Sequence, residues 1–223
     1  MVILDGEGSE LRGVVQAAGR QEVSVRVVDR IRHPAPSTEF ILVQAIAKAQ
    51  AMDGIIHRAV ELGCARIQPL LTERSISRPD DMEAKRSRWQ DMAMEAAKQS
   101  GNPWLTAVSP ICTPREWFAS SREGVLTIIA SLVDPPESLA QVLSQEVVRT
   151  GLIPRRVAVA IGPEGDFTPE EYAGFRMAGA RPVSLGPLVL RVETAAIALL
   201  ALVQYEWNRG KGGSDVSSLG GAR

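Results

Sequence analysis

The sequence predicts an α/β fold built on a mainly parallel sheet, and three observations carry that prediction. From residue 40 onward, short apolar runs alternate with segments of helical periodicity, the order that yields a parallel sheet covered by helices on both faces. Two of those runs, 125–132 and 157–161, are almost continuously apolar, as strands buried on both faces are. Two glycine-bearing stretches, 162–165 and 185–191, each follow a predicted strand at its carboxyl end, where the ligands of such sheets bind.

Residues 1–34 carry Val-rich runs at 11–15 and 23–28, with turn signals at Asp5-Gly6 and Gly19-Arg20. They predict short strands, too few for a barrel that folds alone. His33-Pro34-Ala35-Pro36 predicts a linker. Residues 40–43 predict the first strand of the main sheet and 49–62 a helix, with Gly63 at the position of its carboxyl-terminal cap. A strand over 65–71 follows. The helix over 81–99 has the clearest pattern, because Met82, Trp89, Met92, Ala93 and Ala96 recur at three- and four-residue steps; this stripe predicts core. The run 125–132 is broken at Asp134-Pro135-Pro136, and 139–148 is helical. The strand 157–161 runs into Gly162-Pro163-Glu164-Gly165. Thr168, Pro169 and Glu171 then supply an N-cap, a first-turn proline and a capping box. Residues 181–185 predict a strand, 186–191 an irregular loop and 193–207 a long apolar helix. The Gly- and Ser-rich tail from Gly210 predicts a flexible segment. The sequence has no internal repeat.

Composition narrows the functional classes. With 45% apolar and 23% charged residues in a chain of 223, one folded domain with a small appendage is expected. No apolar run is long enough to span a bilayer, and the amino terminus lacks the basic-then-apolar order of a signal peptide. Cys64 and Cys112 have no metal-ligand spacing, and His33 and His57 join no cluster. These features predict a reduced, cytoplasmic protein without a metal site. A net charge of −1 excludes a uniformly basic surface but not a local RNA-binding patch. Candidates are Arg26, Arg30, Arg32 and His33, and separately Arg74, Arg78, Lys85, Arg86 and Arg88. The simpler reading of each is a solvated face.

Two motifs carry chemistry. In Ile161-Gly162-Pro163-Glu164-Gly165 the glycines let the backbone approach a ligand and Pro163 stiffens the turn, although an ordinary strand-to-helix turn has the same composition. The dinucleotide fingerprint and the phosphate loop are absent, which argues against NAD and ATP. In the second motif, Arg191 and Glu193 stand between apolar residues at the mouth of a long helix. They read as an ion pair capping that helix or, with more weight, as a ligand edge where an arginine fixes a phosphate or a pyrimidine carbonyl. Glu95 and Gln99 are four residues apart on one helix face, as are His57 and Glu61; solvent-facing side chains account for both pairs.

Four blocks in order, 44–77, 88–101, IGPEGDFTPEE at 161–171 and SLGPLVLRVETAA at 184–196, resemble the RsmE family of small-subunit ribosomal RNA methyltransferases along nearly the whole chain. The resemblance implies a SPOUT-type fold, a mainly parallel sheet with a C-terminal trefoil knot, preceded by a β-rich PUA-like part. It implies a truncated PUA-like segment at 1–34, a methyltransferase domain at 35–209 and a flexible tail at 210–223. A cytoplasmic homodimer is implied as well, with ribosomal RNA or the small ribosomal subunit as partner. By the same resemblance the cofactor is S-adenosylmethionine. Ile161, Gly162, Pro163, Glu164, Gly165, Leu185, Gly186, Leu190, Arg191, Glu193, Thr194 and Ala195 would cradle it. Arg191, Glu193 and Glu164 are the implied catalytic residues, and Arg58, Glu61, Arg74, Glu95 and Gln99 the implied substrate contacts. The implied reaction moves a methyl group to N3 of a uridine, whose pairing edge must first be exposed. Arg191 is expected to stabilise negative charge on the uracil carbonyls, and Glu164 or Glu193 to accept the proton.

The chain departs from the family pattern at several positions. It starts at what resembles the middle of the PUA-like barrel. Asn102 stands where an arginine is expected, and Asp166 replaces the last glycine of a Gly-Pro-Glu-Gly-Gly loop. Leu188 replaces a usual arginine, and Arg58 a usual lysine. Asp166 adds negative charge close to a helix amino terminus, which is unfriendly to phosphate. These changes bear on RNA more than on cofactor. Two other readings share the motifs: a methyltransferase for another RNA position, such as a ribose 2′-hydroxyl, and a catalytically weak RNA-binding ribosome-assembly factor.

Overall fold

The computed structural model describes residues 1–120, 124–132, 137–151 and 154–209. Its first feature is a turn at Asp5, whose Oδ1 accepts from the amides of Glu7 and Ser9, each at 2.8 Å. The turn sets β1 (Val2–Leu4) antiparallel to β2 (Ser9–Ala18), which pairs in turn with β3 (Val23–Arg32). The strands are longer than the valine runs at 11–15 and 23–28. Cross-strand pairing carries them through two register shifts and on to Arg32, which no local run reveals. This small sheet rests on residues 103–105. Trp104 occupies the space a Cβ on Gly8 would need, and the Gly8 amide donates to Pro103 O at 2.9 Å. Residues 33–36 form no helix or strand, as the prolines predict.

Strands and helices then alternate: β4 (Glu39–Ala45), α1 (Ala49–Glu61), β5 (Arg66–Leu70), α2 (Met82–Ser100), β6 (Ala107–Val108), α3 (Pro114–Ala119), β7 (Val125–Ala130), α4 (Leu139–Thr150), β8 (Arg156–Ile161), α5 (Pro169–Met177), β9 (Arg181–Val183) and α6 (Val192–Arg209). The six strands form one parallel sheet in the order β6-β5-β4-β8-β7-β9. Period-two alternation gives its faces different characters. Phe40, Leu42, Val157, Val159 and Ile161 turn to one side, where α1, α2, α4 and α6 pack. Val43, Ala45, Ala158 and Ala160 turn to the other, and their small size leaves room for Trp117 of α3 and for Tyr172 and Phe175 of α5. Both faces are covered, as the continuous apolar runs require.

The strand order reverses between β4 and β8. The chain leaves β4 outward through β5 and β6, and reaches β7 and β9 on the opposite side of β8. Crevices at the carboxyl ends of the strands open at such a reversal.

Several details depart from expectation. On α2, Trp89, Ala93 and Ala96 are buried, but Met82 is 43% exposed; it is the first helical residue, and the buried part of the helix begins only at Trp89. β9 stops at Val183, short of Leu185, because the Ser184 hydroxyl accepts from the Gly186 amide at 3.1 Å and turns the chain. β6 and α3 were not foreseen. The break at 134–136 and the tail at 210–223 lie outside the described residues.

Candidate active site

The site begins with the turn that ends β8. The Asp166 amide donates to Pro163 O at 2.9 Å, closing the turn. Asp166 adopts φ 60°, alone among the described non-glycine residues in the left-handed region, a conformation that aspartate tolerates better than most. Its side chain is then held on both sides. Oδ1 accepts from the Phe167 amide at 2.8 Å, and the Tyr172 hydroxyl donates to Oδ1 at 2.9 Å and lies 3.0 Å from Oδ2. Gly162 makes this possible, since a Cβ there would stand 2.8 Å from Asp166 Oδ1. Burial, and next the Asp166 charge, push the Tyr172 phenol well above its ordinary value, which keeps it a donor. The same hydroxyl lies 3.4 Å from Ala130 O at the end of β7. One phenol thus joins the ends of two neighbouring strands.

Two further ties come from distant segments. The Lys48 amide, just before α1, donates to Glu164 Oε1 at 2.9 Å, linking the end of β4 to the loop after β8. Behind the loop, Arg74 Nη1 donates to Gly165 O at 2.9 Å and lies 3.3 Å from Phe167 O. The Glu73 amide donates to Glu171 Oε1 at 2.9 Å. After β9 the chain passes through 184–191 without regular structure and enters α6, where the Ala195 amide donates to Arg191 O at 2.9 Å.

These loops border a half-open cavity of about 860 Å³ at the carboxyl edge of the sheet, within the usual range for small-molecule sites. It is lined by Ile161, Gly162, Pro163 and Glu164 from one motif and by Leu185, Gly186, Leu190, Arg191, Glu193 and Ala195 from the other. Gly165 and Thr194 are outside the lining: Gly165 abuts the Arg74 side chain, and Thr194 is exposed on the first turn of α6. Of the residues expected on the substrate side, Arg58 lines the cavity. Glu61, Glu95 and Gln99 are exposed on α1 and α2 away from it, Glu95 paired with Lys98 at 2.7 Å. Arg74 is also outside, engaged with the loop backbone.

Sequence reasoning did not single out Lys48, Gln50, Ala51 and Gly54 at the start of α1, or Ala130, Ser131 and Leu132 after β7, all of which line the cavity. Their only signal was position, just beyond the carboxyl ends of predicted strands. Chemically the cavity offers an apolar bed from Ile161, Leu185 and Leu190, bare backbone at Gly162 and Gly186, and charges of both signs. Lys48, Arg58 and Arg191 are exposed, whereas Asp166 and Glu193 are half-buried.

Comparison with known proteins gives a consistent picture. Residues 33–204 match the model of the RNA methyltransferase domain family. The chain is 32% identical over 204 residues to ribosomal RNA small subunit methyltransferase E from Synechocystis, covering 91% of this chain and 64% of that one. It is 30% identical to the protein of the same name from Mycobacterium bovis, covering 91% of this chain and 77% of that one. A crystal structure of ribosomal RNA small subunit methyltransferase E from Neisseria gonorrhoeae, bound to S-adenosyl methionine, superposes with a TM-score of 0.80 at 26% identity, covering 93% of this chain and 83% of that one. The chain therefore spans 64% of the length of the Synechocystis protein, 77% of the Mycobacterium bovis protein and 83% of the Neisseria gonorrhoeae protein.

Proposed function

Because the chain belongs to the RsmE family of RNA methyltransferases, we propose that it transfers a methyl group from S-adenosylmethionine to N3 of a uridine in small-subunit (16S) ribosomal RNA. The observation that carries the reading is the convergence of both glycine-bearing loops on one cavity where the strand order reverses.

The residues present suit the cofactor. A flat ring fits against Ile161, Leu185 and Leu190, and Gly162, with no room for a Cβ, keeps the loop close-packed beside it. S-adenosylmethionine supplies a methyl group already activated by a sulfonium. The protein must therefore hold the uracil in line with it and manage charge, and positioning of this kind lowers barriers substantially. Arg191, exposed at the cavity edge, stabilises the negative charge that develops on the uracil carbonyls. Glu164 already has an oxygen engaged by the Lys48 amide, which favours Glu193, half-buried in the cavity wall, as the acceptor of the N3 proton. Arg58 and Lys48 at the rim suit RNA phosphate.

The wider reading follows the family. Residues of both loops line the same cavity while α6 packs against the face of β4 and β8, an arrangement that supports a trefoil knot built from the loops near 162–165 and 185–195. The three antiparallel strands of 1–34 support a PUA-like part ahead of the methyltransferase domain at 35–209. Homodimerisation and a cytoplasmic location belong to the same proposal. No helix among the described residues is long and apolar enough to cross a membrane.

The test is incubation of the chain with methyl-labelled S-adenosylmethionine and unmodified small-subunit RNA, free and as the partly assembled subunit, followed by nucleoside mass spectrometry. Label on uridine N3 is expected; label on a ribose, or none with either substrate, refutes the assignment. Arg191→Ala should lower turnover by roughly a hundredfold or more while cofactor affinity stays within about threefold. Unchanged turnover would remove Arg191 from the chemistry.

A further inference from the structure

The loop after β8 carries a charge that its backbone does not require. At φ 60° a glycine meets no steric penalty, yet position 166 holds an aspartate. The carboxylate is fixed by the Phe167 amide, the Tyr172 hydroxyl and the bare face of Gly162. Two donors leave a carboxylate with acceptor capacity to spare, and Asp166 lines the cavity. The other charged residues of the lining are held differently. Lys48, Arg58, Arg191 and Glu164 are all exposed to solvent, and Glu193, although half-buried, stands on the first turn of α6. Charge at the rim is mostly basic and solvated, whereas the charge built into the wall is acidic.

We propose that Asp166 makes the cavity favour a cationic sulfonium cofactor over the neutral thioether that remains once the methyl group has gone. The inference rests on S-adenosylmethionine being the cofactor. Cofactor and product share the adenosine and the amino-acid portions and differ in charge only at sulfur. Contacts to the shared portions cancel when the two affinities are compared, which leaves the electrostatic field at the sulfur. A half-buried carboxylate is poorly screened and acts across a cavity of this size, whereas exposed cations are largely neutralised by water and salt. The position that makes the loop unwelcoming to phosphate thus makes it welcoming to a sulfonium, and the spent product is released more readily than the cofactor.

The test is calorimetric binding to the full chain of three ligands: S-adenosylmethionine, its thioether product, and an analogue with a protonated amine in place of the sulfonium. Each is measured with the natural protein, Asp166→Asn and Asp166→Gly. Asparagine and glycine both accept a left-handed backbone, so either variant keeps the experiment decisive if the other folds poorly. The natural protein is expected to bind both cations more tightly than the thioether, by on the order of threefold to tenfold. In both variants that preference should fall by more than about twofold, any remainder coming from the half-buried Glu193. A preference unchanged to within about twofold in both variants overturns the proposal. If the natural protein binds cofactor and thioether equally, this inference fails while the cofactor reading stands. If it binds none of the three, the cofactor reading itself fails.

Discussion

Arg74 is outside the cavity, yet its guanidinium holds the backbone of the loop that bounds it. Removing it frees two carbonyls, and a charged donor to such groups is worth about 1.5–3 kcal/mol, discounted because the Gly165 contact is exposed. Arg74→Ala is therefore expected to raise the cofactor Kd about tenfold and to leave the KM for RNA within about twofold, with Arg74→Lys restoring part of the loss. Equilibrium binding and steady-state kinetics read the two separately. A rise confined to the KM for RNA would instead make Arg74 the substrate contact that family resemblance implies. Asp166 illustrates what single residues disclose in a sequence. Its departure from glycine was visible, but its partner Tyr172, six residues on and across a turn, was not, because a hydroxyl reaching back over a loop leaves no periodic trace.

Element by element, legibility followed length and capping. The start of α5 was readable because Thr168, Pro169 and Glu171 form a capping box. The same pattern at Thr113, Pro114 and Glu116 opens α3, but six residues are too few to display a helical apolar stripe, and that element went unpredicted. What gives α3 its place is packing. Phe118 lies in edge contact with Phe175, their ring centroids 4.9 Å apart, and also against Gly174 of α5. A Cβ at Gly174 would come within 2.3 Å of the Phe118 ring. Gly174→Ala should therefore destabilise the protein by about 1–3 kcal/mol through overpacking, despite alanine's better helix propensity. Chemical denaturation measures this, and a stabilised variant would show that α3 can move aside without loss.

For the whole molecule, hydropathy told which faces of the strands are buried but not which strands are neighbours. β4 and β8 lie side by side although more than a hundred residues separate them, and the switch in strand order that opens the cavity depends on that pairing. Apolar periodicity is blind to it, since every buried parallel strand looks alike. The two glycine-bearing motifs were found; the walls from α1 and β7 were not, for the same reason. Closure of the molecule is also long-range. The Trp207 indole donates to the Thr38 hydroxyl at 2.8 Å in a buried setting, pinning α6 to the start of β4. Trp207→Phe should lower stability by about 1–3 kcal/mol, seen as an earlier unfolding midpoint, and an unshifted midpoint would show that α6 is held by its other contacts. The Lys48–Glu164 bond has a consequence for biosynthesis. A growing polypeptide has β4 in hand long before Glu164, Arg191 or Glu193 exists, so no early folding unit contains a usable binding site. Ligand capture begins only after residue 195 has left the exit tunnel, and from then on it stabilises the finished topology and nothing that precedes it.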